Sequence, residues 1–203
     1  MHSCKLHCFS QRRTVFVLLL ASLGVSISSQ AQDAPENAAS APVVFQREAT
    51  PSPAFNNLLF GISADAENDI WAVGSFAQGA LALHFDGSKW SLVPMALPNT
   101  ADMRGVSALV SHDVWAVGNM FDSKTQHFTS VIQHFDGAKW RLMASPHFAS
   151  LDQLFAVKAI AHDDVFAVGE LHSDSQEPLP LIEHFDGTKW VRLRPPCARI
   201  PPA

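Results

Sequence analysis

His84-Phe-Asp-Gly-Ser-Lys-Trp90, His134-Phe-Asp-Gly-Ala-Lys-Trp140 and His184-Phe-Asp-Gly-Thr-Lys-Trp190 are one heptapeptide written three times, at intervals of 50 residues. A hexapeptide precedes each copy: Asp69-Ile-Trp-Ala-Val-Gly74, then Asp113-Val-Trp-Ala-Val-Gly118, then Asp164-Val-Phe-Ala-Val-Gly169. The distance between the two blocks varies while the blocks themselves hardly change, so insertions fall between them. A recurring period of this size marks a chain built from stacked structural repeats.

Each unit reads as four short strands. Leu58-Leu-Phe-Gly-Ile-Ser63 and Gly105-Val-Ser-Ala-Leu-Val110 are runs of apolar and small residues suited to a first strand, followed by a polar turn. The hexapeptide carries Trp71, Trp115 or Phe166 and ends on glycine, as expected of a buried central strand. The third strand ends at the pairs His84-Phe85, His134-Phe135 and His184-Phe185. Asp86-Gly87, Asp136-Gly137 and Asp186-Gly187 then open hairpin loops, where glycine takes positive φ without a steric penalty and aspartate can bond the turn backbone. Phe85 and Trp90 flank their loop and are expected to face each other across it, as are Phe135 with Trp140 and Phe185 with Trp190. The fourth strand starts at that tryptophan.

Four antiparallel strands in a period of 44 to 51 residues are the pattern of a propeller blade. One small sheet cannot bury both of its faces, whereas stacked sheets bury each other's, with large aromatics filling the wedge between them. The expected fold is therefore all-β, with three tandem four-stranded antiparallel blades forming a partial β-propeller behind an N-terminal signal peptide. The blades are placed at residues 54–96, 97–146 and 147–194, with a Pro-rich tail over 195–203. Residues 32–53 are read as a linker, in which Pro42-Val-Val-Phe-Gln-Arg-Glu48 resembles an orphan outer strand. Closed propellers have 4–8 blades. Three blades thus imply a fragment of a longer propeller, the simpler reading, or a homo-oligomer whose copies complete a ring.

The Asp-Val-Trp-Ala-Val-Gly and His-Phe-Asp-Gly-x-Lys-Trp blocks resemble those of bacterial secreted propeller-repeat proteins near the kelch and galactose-oxidase-like group. The Phe-Asp-Gly-x-x-Trp hairpin is also similar to Asp-box repeats, with a shorter Asp-to-Gly spacing. The resemblance covers about residues 54–194 and implies the fold more than any activity. A sialidase-type site on an Asp-box propeller would need a tyrosine nucleophile and an arginine cluster. A galactose-oxidase-type copper site would need tyrosine ligands, one of them linked to cysteine. The chain contains no tyrosine, which excludes both chemistries for it.

The first thirty residues read as an address. Lys5, Arg12 and Arg13 precede an apolar run, Val15 to Ile27, of 13 residues. That run is shorter than the ~20 residues a spanning helix needs. Ser29-Gln30-Ala31 offers small residues at −3 and −1, so export by a Sec-type route with cleavage after Ala31 is expected, leaving Gln32 at the mature terminus and no stable membrane anchor. Cys4 and Cys8 would be removed, and Cys197 alone cannot form an internal disulfide. The net charge of −5 with no long basic run argues against a nucleic-acid binder, which would show a basic stripe.

The recurrent polar residues invite chemistry, but structural roles are expected of them. Ligands from His84, His134 and His184 would have to converge on one ion, whereas equivalent positions of successive blades fan apart. Asp69, Asp113 and Asp164 sit at a strand start, where a carboxylate can accept turn amides. Asp65-Ala-Glu-Asn-Asp69 shares only acidity with a calcium loop. No catalytic, metal or cofactor residue is therefore assigned. The preferred function is an exported non-catalytic module that binds a protein or carbohydrate ligand through the loops of one propeller face. A fragment without independent function is the alternative, and a hydrolase or lyase on a propeller scaffold ranks last.

Overall fold

The computed structural model describes residues 47–53, 55–77, 79–146, 151–172 and 177–193. The expected signal peptide (1–31), most of the linker, residues 42–46 of the orphan strand and the tail from 195 lie outside them. Residues 47–53 carry no regular structure.

Each heptapeptide is a hairpin whose chemistry fixes its shape. Gly87, Gly137 and Gly187 have φ of 88, 89 and 85°, where a side chain would be strained. Asp86 Oδ1 accepts the amides of Ser88 and Lys89 at 2.9 and 3.0 Å, and Asp136 and Asp186 hold their loops in the same way. Across each loop Phe pairs with Trp in register, with ring centroids 5.4, 5.4 and 5.6 Å apart.

The hairpins complete three four-stranded antiparallel sheets. Blade 1 consists of β1 (Leu58–Ala66), β2 (Asp69–Phe76), β3 (Gly79–Phe85) and β4 (Trp90–Leu92). Blade 2 consists of β5 (Ala101–Val110), β6 (Asp113–Asp122), β7 (His127–Phe135) and β8 (Trp140–Met143). Blade 3 consists of β9 (Leu151–Ala161), β10 (Asp164–His172), β11 (Leu179–Phe185) and β12 (Trp190–Leu193). Strand order follows chain order in every sheet, and no helix occurs among the described residues. The first strands are longer than their apolar runs suggest: β5 begins at Ala101, ahead of Arg104.

The glycine that ends each hexapeptide answers to a close approach rather than to its own torsion. The β1–β2 and β5–β6 ladders slip register at Leu59/Gly61 and Met103/Gly105, and the β9–β10 ladder slips at Val168/Gly169. At these irregularities a Cβ on Gly74, Gly118 or Gly169 would collide with the main-chain carbonyl of Leu58, Asp102 or Gln153. Only glycine lets the bulged strand lie flat on its neighbour.

Blade 2 lies between the other two, its first strand β5 packing on β1, β2 and β3 and β9 packing on β5, β6 and β7. Two cores fill the junctions. Trp71, Met103, Phe135 and Trp140 lead the first, and Trp115, Leu154, Phe185 and Trp190 the second. The central tryptophan of one blade meets the hairpin pair of the next. Trp71 lies 4.7 Å from Phe135 and 5.3 Å edge-on to Trp140, and Trp115 lies 5.0 Å from Phe185 and 5.6 Å from Trp190. Along the inner strands the amides of Ala108 and Ala159 donate to Ser63 Oγ and Ser107 Oγ, both at 3.0 Å. These sheets are the three blades of a partial β-propeller.

One buried side chain is poorly matched to its place. Gln133 is 1% exposed, and neither atom of its amide has a partner among the described residues. Register puts Leu83 and Glu183 at the same position of blades 1 and 3. Glu183 meets the hydroxyl of Ser145 in the connection preceding its blade, whereas the matching residue ahead of Gln133 is Met95 by alignment of Leu92 with Leu142. Gln133→Leu should therefore stabilise the protein by ~1–2 kcal/mol, since it removes two unsatisfied polar atoms from an apolar site. The denaturant midpoint measures this, and a downward shift would reveal a polar partner for the amide.

Candidate functional site

The two ends of the blade stack differ. At one end lie the turns at 67–68, 111–112 and 162–163 together with the three Asp-Gly hairpins, nearly uniform in length and sequence. At the other end the connections within blades span 77–78, 123–126 and 173–178, and those between blades span 93–100 and 144–150. Loops carried on a rigid scaffold are where binding surfaces diversify, so this variable end is the place to look for a site.

The uniform end is held together by its own hydrogen bonds. The Ser88 hydroxyl and the Lys89 and Ser88 amides bring Asp86 down to about 2 from the usual 3.8. The Lys139 amide and the Arg141 guanidinium hold Asp136 far below the ordinary carboxylate range, and the Lys189 and Thr188 amides lower Asp186. These carboxylates remain ionised as turn clamps.

The recurring histidines and aspartates meet within blades. His84 Nε2 lies 2.7 Å from Asp69 Oδ1, His134 2.9 Å from Asp113, and His184 2.7 Å from Asp164. Each imidazole also stacks on the central aromatic, 4.5 Å from Trp71, 4.3 Å from Trp115 and 4.4 Å from Phe166. The partner that the structure gives each aspartate is thus a histidine ring rather than the turn amides expected of it. Asp113 additionally accepts Trp115 Nε1 at 2.8 Å and meets His162 Nδ1 of blade 3 at 3.1 Å. Among the described residues no three His, Cys, Asp or Glu side chains gather as a metal ion would require.

At the variable end a groove of about 520 Å³ opens beside the outer part of blade 2. Leu97, Met120, Val131, Leu142 and Met143 make its apolar walls, and Thr129, Ser130 and Ser145 supply hydroxyls. Among the described residues no aromatic ring lines it. The connection into blade 2 (Ala96 to Pro98) forms one rim and the connection out of it (Ala144, Ser145) the other.

The hydroxyls are fixed from behind. Ser145 Oγ donates to Glu183 Oε2 at 3.1 Å and lies 3.2 Å from Ser130 Oγ, and the Ser130 amide donates to Asp152 Oδ1 at 3.1 Å. Glu183 and Asp152 are fully buried. Burial pushes Glu183 up from 4.5 to about 7, against the Ser145 hydrogen bond, with the Asp152 charge adding to the rise and Arg192 opposing it.

Sequence analysis assigns no role to Ser145 or Glu183. The signal for this network is the charged residue that interrupts the apolar alternation Leu181–Glu183–Phe185.

Because the folded state raises the Glu183 pKa, it binds a proton more tightly than the unfolded chain does. The contribution of Glu183 is therefore most favourable below pH 4.5 and is lost as pH rises to about 7. Removing that slope by Glu183→Gln should flatten the stability profile over this window by ~2–3 kcal/mol. Denaturation midpoints at pH 4.5, 6 and 8 test it, and parallel profiles for the two proteins would contradict it.

No protein-family model matches this chain, and no curated protein sequence matches it. Among solved structures, the chain is similar to one described as YCF48 bound to D1 peptide, with a TM-score of 0.46 and 19% identity over 66% of this chain and 39% of that one. The chain therefore spans about two fifths of that protein's length. It is also similar to a fucose lectin from Kordia zhangzhouensis in complex with methyl-fucoside, with a TM-score of 0.41 and 14% identity over 65% of this chain and 96% of that one. Nothing about this chain's ligand follows from either likeness.

Proposed function

We propose that this chain is an exported, non-catalytic propeller-repeat module that binds an apolar segment of an extended protein chain in the groove at the variable end of blade 2. Export rests on the charged, apolar and small-residue succession of residues 1–31, and the kelch and galactose-oxidase-like kind of repeat on the two recurring blocks. The observation that carries the binding reading is the groove itself. Its described walls are aliphatic and thioether side chains, and their polar side-chain groups are the hydroxyls of Thr129, Ser130 and Ser145, the last donating to Glu183.

This lining suits an apolar side chain presented on an extended backbone. Thioether side chains adapt to varied apolar shapes, and the short outer strand β8 leaves an edge along which a peptide can run. A carbohydrate ligand is less well served by the described lining, which presents no ring face for a sugar to stack on and no charged or amide side chain to bracket its hydroxyls.

The test is a library of short extended peptides, with and without bulky apolar residues, screened beside a panel of free glycans. Leu142, 63% exposed, can be changed to Asp without unfolding the blade. Apolar peptides should bind with micromolar dissociation constants, and Leu142→Asp should weaken them at least about tenfold by placing a charge in the groove. Glycan binding unaffected by that substitution would overturn the reading.

A further inference from the structure

The two internal junctions are built from the same positions, and strand register carries those positions onto the outer faces of the stack. Where blade 2 faces blade 3, Trp115, Val117 and Ile132 are buried, with Leu109 and Met143 packed beside them. Register assigns Phe166, Val168, Ile182, Ile160 and Leu193 to the same five positions of blade 3. None of these is polar, yet Ile160 is 60% exposed, and Val168 and Leu193 are exposed as well. Blade 3 repeats, uncovered, the apolar set that blade 2 buries.

Blade 1 offers the complement. Met103, Val106, Phe135 and Trp140 are the residues of blade 2 that receive blade 1, and their counterparts in blade 1 are Leu59, Ile62, Phe85 and Trp90. Ile62 is 70% exposed and Leu59 is exposed, while Phe85 and Trp90 are half-buried. On the outer part of the same face Ala72, Leu81 and Leu83 are buried. The open surface is thus the inner strand and the hairpin end.

We infer that these two faces dock on each other between copies of this chain. Blade 1 of a second copy packs head to tail on blade 3 of the first, and the reverse junction closes a ring of six blades. A second copy is the fitting occupant because one chain carries both halves of the junction, blade 1 being open over its inner strand and hairpin end. Phe166 stands where Trp71 and Trp115 meet a Phe–Trp pair, and Phe85–Trp90 is the pair that no tryptophan of another blade covers among the described residues. Six blades fall within the 4–8 of closed propellers, and closure covers apolar faces that a soluble monomer would leave bare. One bond of the internal junctions is missing, because Lys158 stands where Ser63 and Ser107 accept an amide from the next blade.

Light scattering behind a sizing column, on the full chain as the producing cell processes it, tests this docking. A dimer that dissociates on dilution is expected. Ile160→Asp and Ile62→Asp alter exposed residues, so circular dichroism should show the blades intact. Each should raise the dimer dissociation constant about 100-fold, since either places a charge in a junction that closes dry. Mixed together, the two variants keep one junction unaltered and should form a heterodimer where neither self-associates. Lys158→Ser restores the missing acceptor and should tighten the wild-type dimer several-fold. A wild-type monomer at all concentrations, open-ended polymers, or a mixture that associates no better than its components would each overturn the docking.

Discussion

Each blade ends in a hairpin that presents a Phe–Trp pair, and blades 1 and 2 each offer one large ring to the pair of the blade that follows. Trp71 against Phe135 and Trp140, and Trp115 against Phe185 and Trp190, are the contacts that turn three small sheets into one structure. A four-stranded sheet of this size cannot hold two apolar faces in water, so its stability depends on that wedge being filled. The Asp-Gly loops serve this contact by fixing where the pair points. The histidine that stacks on the same ring is itself anchored by an aspartate and helps to hold the ring in place.

The same economy explains why the two ends of the stack differ. The uniform end is bound to the wedge, so its turns and hairpins cannot vary without moving the aromatic pair. The variable end is released from that duty, and its connections differ in length and composition. There a groove forms with neutral hydroxyls at its surface and two buried carboxylates behind them. Glu183 is tolerated at that depth because its proton is retained to near-neutral pH and Ser145 gives it a hydrogen bond. Gln133, at the same position of blade 2 but opposite Met95, receives no such help.

The blade pattern was legible in the sequence because a hairpin is a local object. Phe85 and Trp90 are separated only by the loop that pairs them, and Asp-Gly states its turn chemistry outright. What was not legible depends on residues far apart in the chain. The His84–Asp69 and His134–Asp113 pairs join positions 15 and 21 residues apart, and their distance is set by the register of two strands rather than by spacing. The Ser145–Glu183 bond spans 38 residues and crosses from one blade to the next. It could be anticipated only by knowing which face of β11 looks back toward blade 2. The groove was harder still, since the connections that rim it carry no repeated motif.

A double-mutant cycle between Trp115 and Trp190 tests most directly whether the ring-on-pair contact organises the stack. With each tryptophan replaced by leucine, alone and together, the stability changes should fail to add by ~0.5–1.5 kcal/mol, the coupling of a desolvated aromatic pair. The control cycle of Trp115 with Trp140, which belongs to the other junction, should give a coupling close to zero. Additive changes in the Trp115–Trp190 cycle, or an equal coupling in the control, would contradict the account.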